Sequence, residues 1–170
     1  LYTGRKDARI DLSPLGKLTN LADLELGIIN TTQVPSNMSA LSRLVNLRKL
    51  KLMGLLNDLT SLAELKNLED LNVGTPPVPD LKPLANLTSL RKVAFYFAPT
   101  SPDLSALAKL VNLESLKIGK PLKSKEGGIK DLSPLSGLKN LKELNLVGNP
   151  IPDDQKEMLS KALPNCVIKF

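Results

Sequence analysis

Between residues 131 and 151 the chain reads DLSPLSGLKNLKELNLVGNPI, with leucines at 132, 135, 138, 141, 144 and 146 and an asparagine at 149. Steps of three residues keep side chains on one side of a 3₁₀ or short α segment. A step of two does the same in a strand, so Leu144 and Leu146 share one face while Glu143, Asn145 and Val147 take the other. The pattern predicts a short helical turn followed by a strand, both apolar on the same side. One such unit cannot bury its leucines alone. Stacked copies share a continuous core, in which each buried leucine contributes roughly 1.5–3 kcal/mol.

Copies run through the chain, phased by a recurring Asp/Asn-apolar-x-x-Leu box that begins at Asp11, Asn37, Asp58, Asp80, Asp103 and Asp131, with Asp153 where a seventh would start. The boxes are spaced 26, 21, 22, 23, 28 and 22 residues apart, so the basic period is near 22 with two longer units. The Asp or Asn is expected to cap the short helix, a contribution of about 1 kcal/mol each. The prolines that follow suit the first helical turn, where no hydrogen bond is lost. Each box leads to a strand, expected at 23–27, 49–53, 70–74, 92–96, 115–119 and 143–147, joined in parallel by the helical halves. Asparagines at 20, 46, 67, 112 and 140 precede five of the six strands and read as turn formers.

The two ends break the pattern. Residues 1–10, LYTGRKDARI, carry no repeat and no obvious cap, and read as a truncated flank of a longer parent. The repeats occupy 11–151. Residues 152–170 form a C-terminal cap: acidic residues open an amphipathic helix over 152–163 with Met158, Leu159, Ala162 and Leu163 on one side, Pro164 and Asn165 stop it, and Cys166–Phe170 reads as a last strand. The domain is expected to end there.

Composition removes several classes of function. There is no histidine and a single cysteine, which excludes a disulfide framework and any histidine-based metal or proton-transfer site. Aromatic residues make up 3% with no Trp, so leucine must build the core. The net charge of +6 favours acidic partners, but the lysines are spread along the repeats. No apolar run is long enough for a membrane span. No phosphate-binding glycine loop occurs. Two Ser-x-x-Lys strings, 89–92 and 136–139, straddle repeat leucines and read as by-products of the repeat, not as nucleophiles. Asp153 and Asp154 mark a helix start, and Cys166, between a helix stop and an apolar strand, reads as a small core residue. No catalytic residue, metal or cofactor is expected.

The box DLSPL, the phrase NLKELNLVGNPI, the ending LPNCVIKF and the period near 22 resemble the short leucine-rich repeats of bacterial internalins and of related phosphatase-regulator-like proteins. The resemblance covers roughly residues 10–170. It implies an α/β right-handed leucine-rich-repeat solenoid, with parallel strands on the concave face, short helical or 3₁₀ turns on the convex face and a C-terminal helical cap. It also implies binding of another protein on the concave face. The chain departs from the pattern at the ladder asparagine, which is clear only at Asn149; Leu55, Pro76 and Pro121 replace it elsewhere, so less regular turns are expected there.

On the concave face the outward positions should stack in three columns: Asp23, Lys49, Asp70, Lys92, Ser115, Glu143; then Glu25, Lys51, Asn72, Ala94, Lys117, Asn145; then Gly27, Met53, Gly74, Tyr96, Gly119, Val147. Lysines dominate the middle. Met53 and Tyr96 are the sizeable side chains of a Gly-rich column, the setting in which interface energy concentrates. The candidate partner-binding residues are therefore Tyr96, Met53, Lys49, Lys51, Lys92 and Lys117. The longer units add loops at 27–36 and 119–130, the second rich in lysine.

These readings converge on a non-enzymatic interaction domain, a monomer that binds a protein partner, an acidic one being favoured by the net charge, as part of a larger bacterial adhesin or secreted effector. A secreted or cell-surface location follows from the resemblance. The alternative is an intracellular scaffold or regulatory subunit of an enzyme. Nucleic-acid binding through the basic face ranks below both, because no aromatics interleave the lysines to stack bases.

Overall fold

The computed structural model describes residues 10–27, 35–54, 58–74, 80–96, 103–119 and 129–170. Parallel strands β1 (Asp23–Gly27), β2 (Lys49–Met53), β3 (Asp70–Gly74), β4 (Lys92–Phe95), β5 (Ser115–Ile118), β6 (Glu143–Asn145) and β7 (Val167–Lys169) form one sheet in chain order. Ahead of β1 to β6 lie 3₁₀ turns at Ser13–Lys17, Met38–Arg43, Thr60–Leu62, Lys82–Leu84, Ser105–Lys109 and Ser133–Leu135. Helix α1 (Asp153–Ala162) precedes β7. The result is a parallel-sheet solenoid with short helical turns on its convex side.

The leucine spacing produces this stack because every coil contributes the same rows. Leu24, Leu50, Leu71, Val93, Leu116, Leu144 and Ile168 are successive partners across the sheet, and Leu26, Leu52, Val73, Phe95 and Ile118 form the next inward row. The turn leucines join the same core; Leu41, Leu44, Leu47, Leu65, Leu68, Leu87, Leu90, Leu110 and Leu113 expose nothing to solvent. In the first coil the equivalent Leu15 and Leu21 are half-buried and Leu18 is 49% exposed, because the stack gives that coil a described neighbour on one side only. The other end is closed. Leu159 and Leu163 of the cap are buried, and Gln155 Oε1 accepts the Leu132 amide at 2.9 Å.

Several expectations need adjusting. β4, β5 and β6 are shorter than their sequence patterns, ending at Phe95, Ile118 and Asn145, so Tyr96, Gly119 and Val147 stand just past the paired strands. The terminal helix and strand are each shorter by a residue at both ends. The aspartates of the boxes lie one residue before the helix cap, which is a leucine. They still satisfy an orphan donor: a carboxylate oxygen of Asp11, Asp58, Asp80, Asp103 and Asp131 accepts the amide two residues on, at 2.8–2.9 Å. Asn37 departs from them. It takes a left-handed conformation, φ 58°, and donates its side-chain amide to Asp11 at 2.8 Å.

The pre-strand asparagines do more than make turns. Asn46, Asn67, Asn112 and Asn140 each donate a side-chain N–H to a backbone carbonyl of the preceding coil, those of Thr19, Val45, Thr88 and Val111, at 2.9 Å. Asn149 is buried and donates to Ile118 and Leu146, both at 2.9 Å. Leu55, Pro76 and Pro121 lie outside the described residues.

Candidate functional site

The register reproduces the first two outward columns in full and the third over Gly27, Met53 and Gly74. Asp23, Lys49, Asp70, Lys92, Ser115 and Glu143 pair in succession and end on Val167; Glu25, Lys51, Asn72, Ala94, Lys117 and Asn145 do the same and end on Lys169. Five lysines, at 49, 51, 92, 117 and 169, thus face four carboxylates, at 23, 25, 70 and 143, and this strip carries a net +1. The surplus of +6 over the whole chain is not gathered here. A track for a uniform polyanion would need one sign of charge along its length, and this face alternates.

The six candidate side chains sit in different surroundings. Lys51 is tied to Glu25 by a 2.7 Å ion pair, whose hydrogen bond and charge raise the lysine pKa. Lys49 stands between Asp23 and Asp70 in its column. Among the described residues, Lys49, Lys92 and Lys117 have no carboxylate within 4.0 Å. Met53 does not project freely. Its Sδ and Cε lie over Gly74, where a Cβ would collide with both, and they leave Gly74 buried. Tyr96 is 37% exposed, its amide donates to the Val73 carbonyl at 3.0 Å, and its hydroxyl accepts from Asn72 Nδ2 at 3.4 Å. The Lys117 ammonium lies 4.8 Å from the centre of its ring, a cation–π distance.

Tyr96 and Lys117 therefore come together, with Met53 alongside through Gly74, while Lys51 is neutralised locally. Asn72 and Ala94 stand in the predicted middle column but not among the six candidates. Asn72 is the amide between Lys51 and Ala94 in the middle column, and Ala94 is that column's smallest side chain. Both were visible as interruptions in a charged column, had size and amide chemistry been weighed beside charge.

One rim of the sheet carries a separate set of ion pairs, formed by the residues just before the strands. Arg48 meets Glu69 at 2.5 Å, and Glu114 meets Arg91 at 2.7 Å and Lys142 at 2.6 Å. Lys142 and then Arg91 hold the Glu114 carboxyl below its usual range. At the capped end, a cavity of about 330 Å³ is lined by Lys139, Lys161, Pro164 and Cys166 among others. Burial, with Glu143 adding to it, pushes the Cys166 thiol up, away from a reactive thiolate. Lys139 is engaged with the Ala162 carbonyl and Lys161 with Glu157. Among the described residues no three potential metal ligands cluster, and no helix is long and apolar enough to cross a membrane. The loops expected at 27–36 and 119–130 lie mostly outside the described residues.

No family model matches the chain, and a search of curated proteins finds no match. Solved structures do match. Internalin C2 of Listeria monocytogenes superposes with a TM-score of 0.70 at 28% identity, over 96% of this chain and 68% of that one. The fold is that of an internalin-like leucine-rich-repeat solenoid. Internalin F of the same organism gives 0.62 at 28% identity, over 94% of this chain and half of its own length. A leucine-rich-repeat protein of Leptospira interrogans gives 0.66 at 22%, over 92% of this chain and 38% of that protein, a likeness of fold alone. The solenoid thus spans two thirds of one internalin and half of the other. Neither comparison singles out the repeat of about 22 residues as a bacterial type.

Proposed function

We propose that this solenoid is a non-enzymatic domain that binds another protein through its concave sheet, within a larger bacterial surface or secreted protein. One observation carries the reading. All-parallel sheets occur almost only with both faces covered, yet here one face of a parallel sheet of seven strands presents exposed Asp23, Lys49, Lys92, Tyr96, Lys117 and Glu143. A row of mixed charges around one aromatic is a surface made for a specific, wet contact. The likeness to two internalins at 28% identity supports the surface or secreted setting.

The test is to isolate a partner with the full chain as bait and then measure its affinity by calorimetry. Variants on the concave face, Tyr96→Ala and Lys117→Ala, should weaken it. If they bind unchanged while charge reversal within 120–128 abolishes binding, the loop edge is the site and the concave reading fails.

A further inference from the structure

We propose that the concave face anchors an acidic segment of its protein partner, seating one side-chain carboxylate over Ala94 between Lys92, Lys117 and the Tyr96 hydroxyl. The proposal rests on the concave-face reading above and adds to it the chemistry of the partner.

Ala94 is the smallest side chain of the middle column. It lies at the centre of the sheet, with Asn72 and Lys117 beside it on the neighbouring strands and Lys92 and Tyr96 two residues away on its own chain. Its single methyl group is far shorter than the lysine side chains at 92 and 117 beside it. Neighbouring strands are about 4.8 Å apart and same-face residues about 6.6 Å apart along a strand. Both lysine arms can therefore reach a group placed above the methyl.

The side chains around Ala94 carry several hydrogen-bond donors. Lys92 and Lys117 are exposed, and among the described residues neither has a carboxylate within 4.0 Å. Ser115 stands next to Lys92 across the register and brings a hydroxyl. The Tyr96 hydroxyl, 3.4 Å from the Asn72 side-chain amide, brings a further O–H to the same place. The nearest acidic positions in the register, Asp70 and Glu143, lie on the strands to either side and leave β4 and β5 free of negative charge. These same acids oppose a long polyanion, which would have to cross them. A single carboxylate, flanked by residues of mixed charge, meets the donors without meeting the acids. Lys117 already lies at 4.8 Å from the aromatic ring, so one donor is held in place before binding, which lowers the ordering cost.

The experiment is selection of a displayed random-peptide library on the full chain, followed by affinity measurement of the selected peptides with capped ends. Asp or Glu should be enriched at one position, and replacing that residue by its amide should weaken binding roughly tenfold, as expected for losing one partner of a close charge pair. Lys92→Glu, Lys117→Glu and Ala94→Leu should each give a similar loss, whereas Lys109→Glu, on the 3₁₀ turn ahead of β5, should not, and circular dichroism should show all four variants folded. Peptides that lose affinity with Tyr96→Ala but show no acidic enrichment overturn the carboxylate anchor and leave the concave face standing. Peptides indifferent to every concave variant overturn both, as does a library that yields no binder. Selected peptides that need a free C-terminal carboxylate, or an oligonucleotide that binds as tightly with the same lysine dependence, also overturn the assignment.

Discussion

The Lys117 ammonium lies 4.8 Å from the centre of the Tyr96 ring, so the prominent aromatic of the concave face and a lysine of the next strand form one unit. Lys51, two strands before Tyr96, is spoken for by Glu25 at 2.7 Å. Equal-looking lysines therefore differ in surroundings. Against an isolated partner, Tyr96→Ala should cost on the order of 2 kcal/mol of affinity, a hot-spot value. Lys51→Ala should change affinity by less than about 1 kcal/mol and act on the association rate, as rim charges do. Surface plasmon resonance separates the two. A Lys51 effect as large as that of Tyr96 would put the contact nearer β1 and β2.

Core stability should follow the buried rows. Leu116 is 1% exposed at the middle of the sheet, and Leu116→Ala should cost about 2–5 kcal/mol. Asn149→Ala, which removes a buried amide bonded to two carbonyls, should cost about 1–3 kcal/mol. Asn67→Ala, on the exposed side, should cost only about 0.5–1.5 kcal/mol. Urea melts give the order directly. A Leu116 loss below about 1 kcal/mol would contradict the stacking register.

Two glycines of the third column should respond to different degrees. A Cβ on Gly119 would sit 2.9 Å from the Tyr96 carbonyl oxygen, a backbone atom that cannot yield, so Gly119→Ala should destabilise by about 1–3 kcal/mol. A Cβ on Gly74 meets the end of the Met53 side chain, which can swing away. Gly74→Ala should therefore cost less than about 1 kcal/mol and free the thioether to solvent, where peroxide oxidises it faster. Mass spectrometry of Met53 reads the second effect. Unchanged oxidation would show that Met53 does not cover Gly74.

Acid should destabilise the domain from a defined side. The Asn37 amide, then Ser13, holds Asp11 below the usual carboxylate range. Ser105 does so for Asp103, Ser133 for Asp131, and Lys142 with Arg91 for Glu114. A folded-state pKa below the unfolded one means that the unfolded chain binds more protons in acid. The stabilisation is complete above the ordinary carboxylate range of about 4 and is lost as pH falls through the lowered values. The urea midpoint should be flat from neutral pH to about 5 and then fall. Asp103→Asn with Asp131→Asn keeps an acceptor that does not titrate and should shrink the fall. A midpoint that holds or rises between about pH 5 and 3 would contradict this assignment.

Leucine spacing determined the stacking of β1 to β6 and the inward rows, because a period of two or three leaves one way to bury every leucine in a stack, while the closing helix and β7 were legible from an acidic start, an amphipathic stretch and the stop at Pro164 and Asn165. It also determined which side chains stand in each outward column, since alternation along a strand follows from backbone geometry. Strand ends at Phe95, Ile118 and Asn145 escaped it, because where a strand ends is a property of two coils together. Only the tertiary structure decided that Lys51 is paired and Lys117 lies against Tyr96, that Met53 folds over Gly74, and that the asparagines tie each coil to the one before. Those contacts join residues about one coil apart. Long side chains reach several ångströms in many directions, and the neighbouring coil, not the local sequence, selects among them.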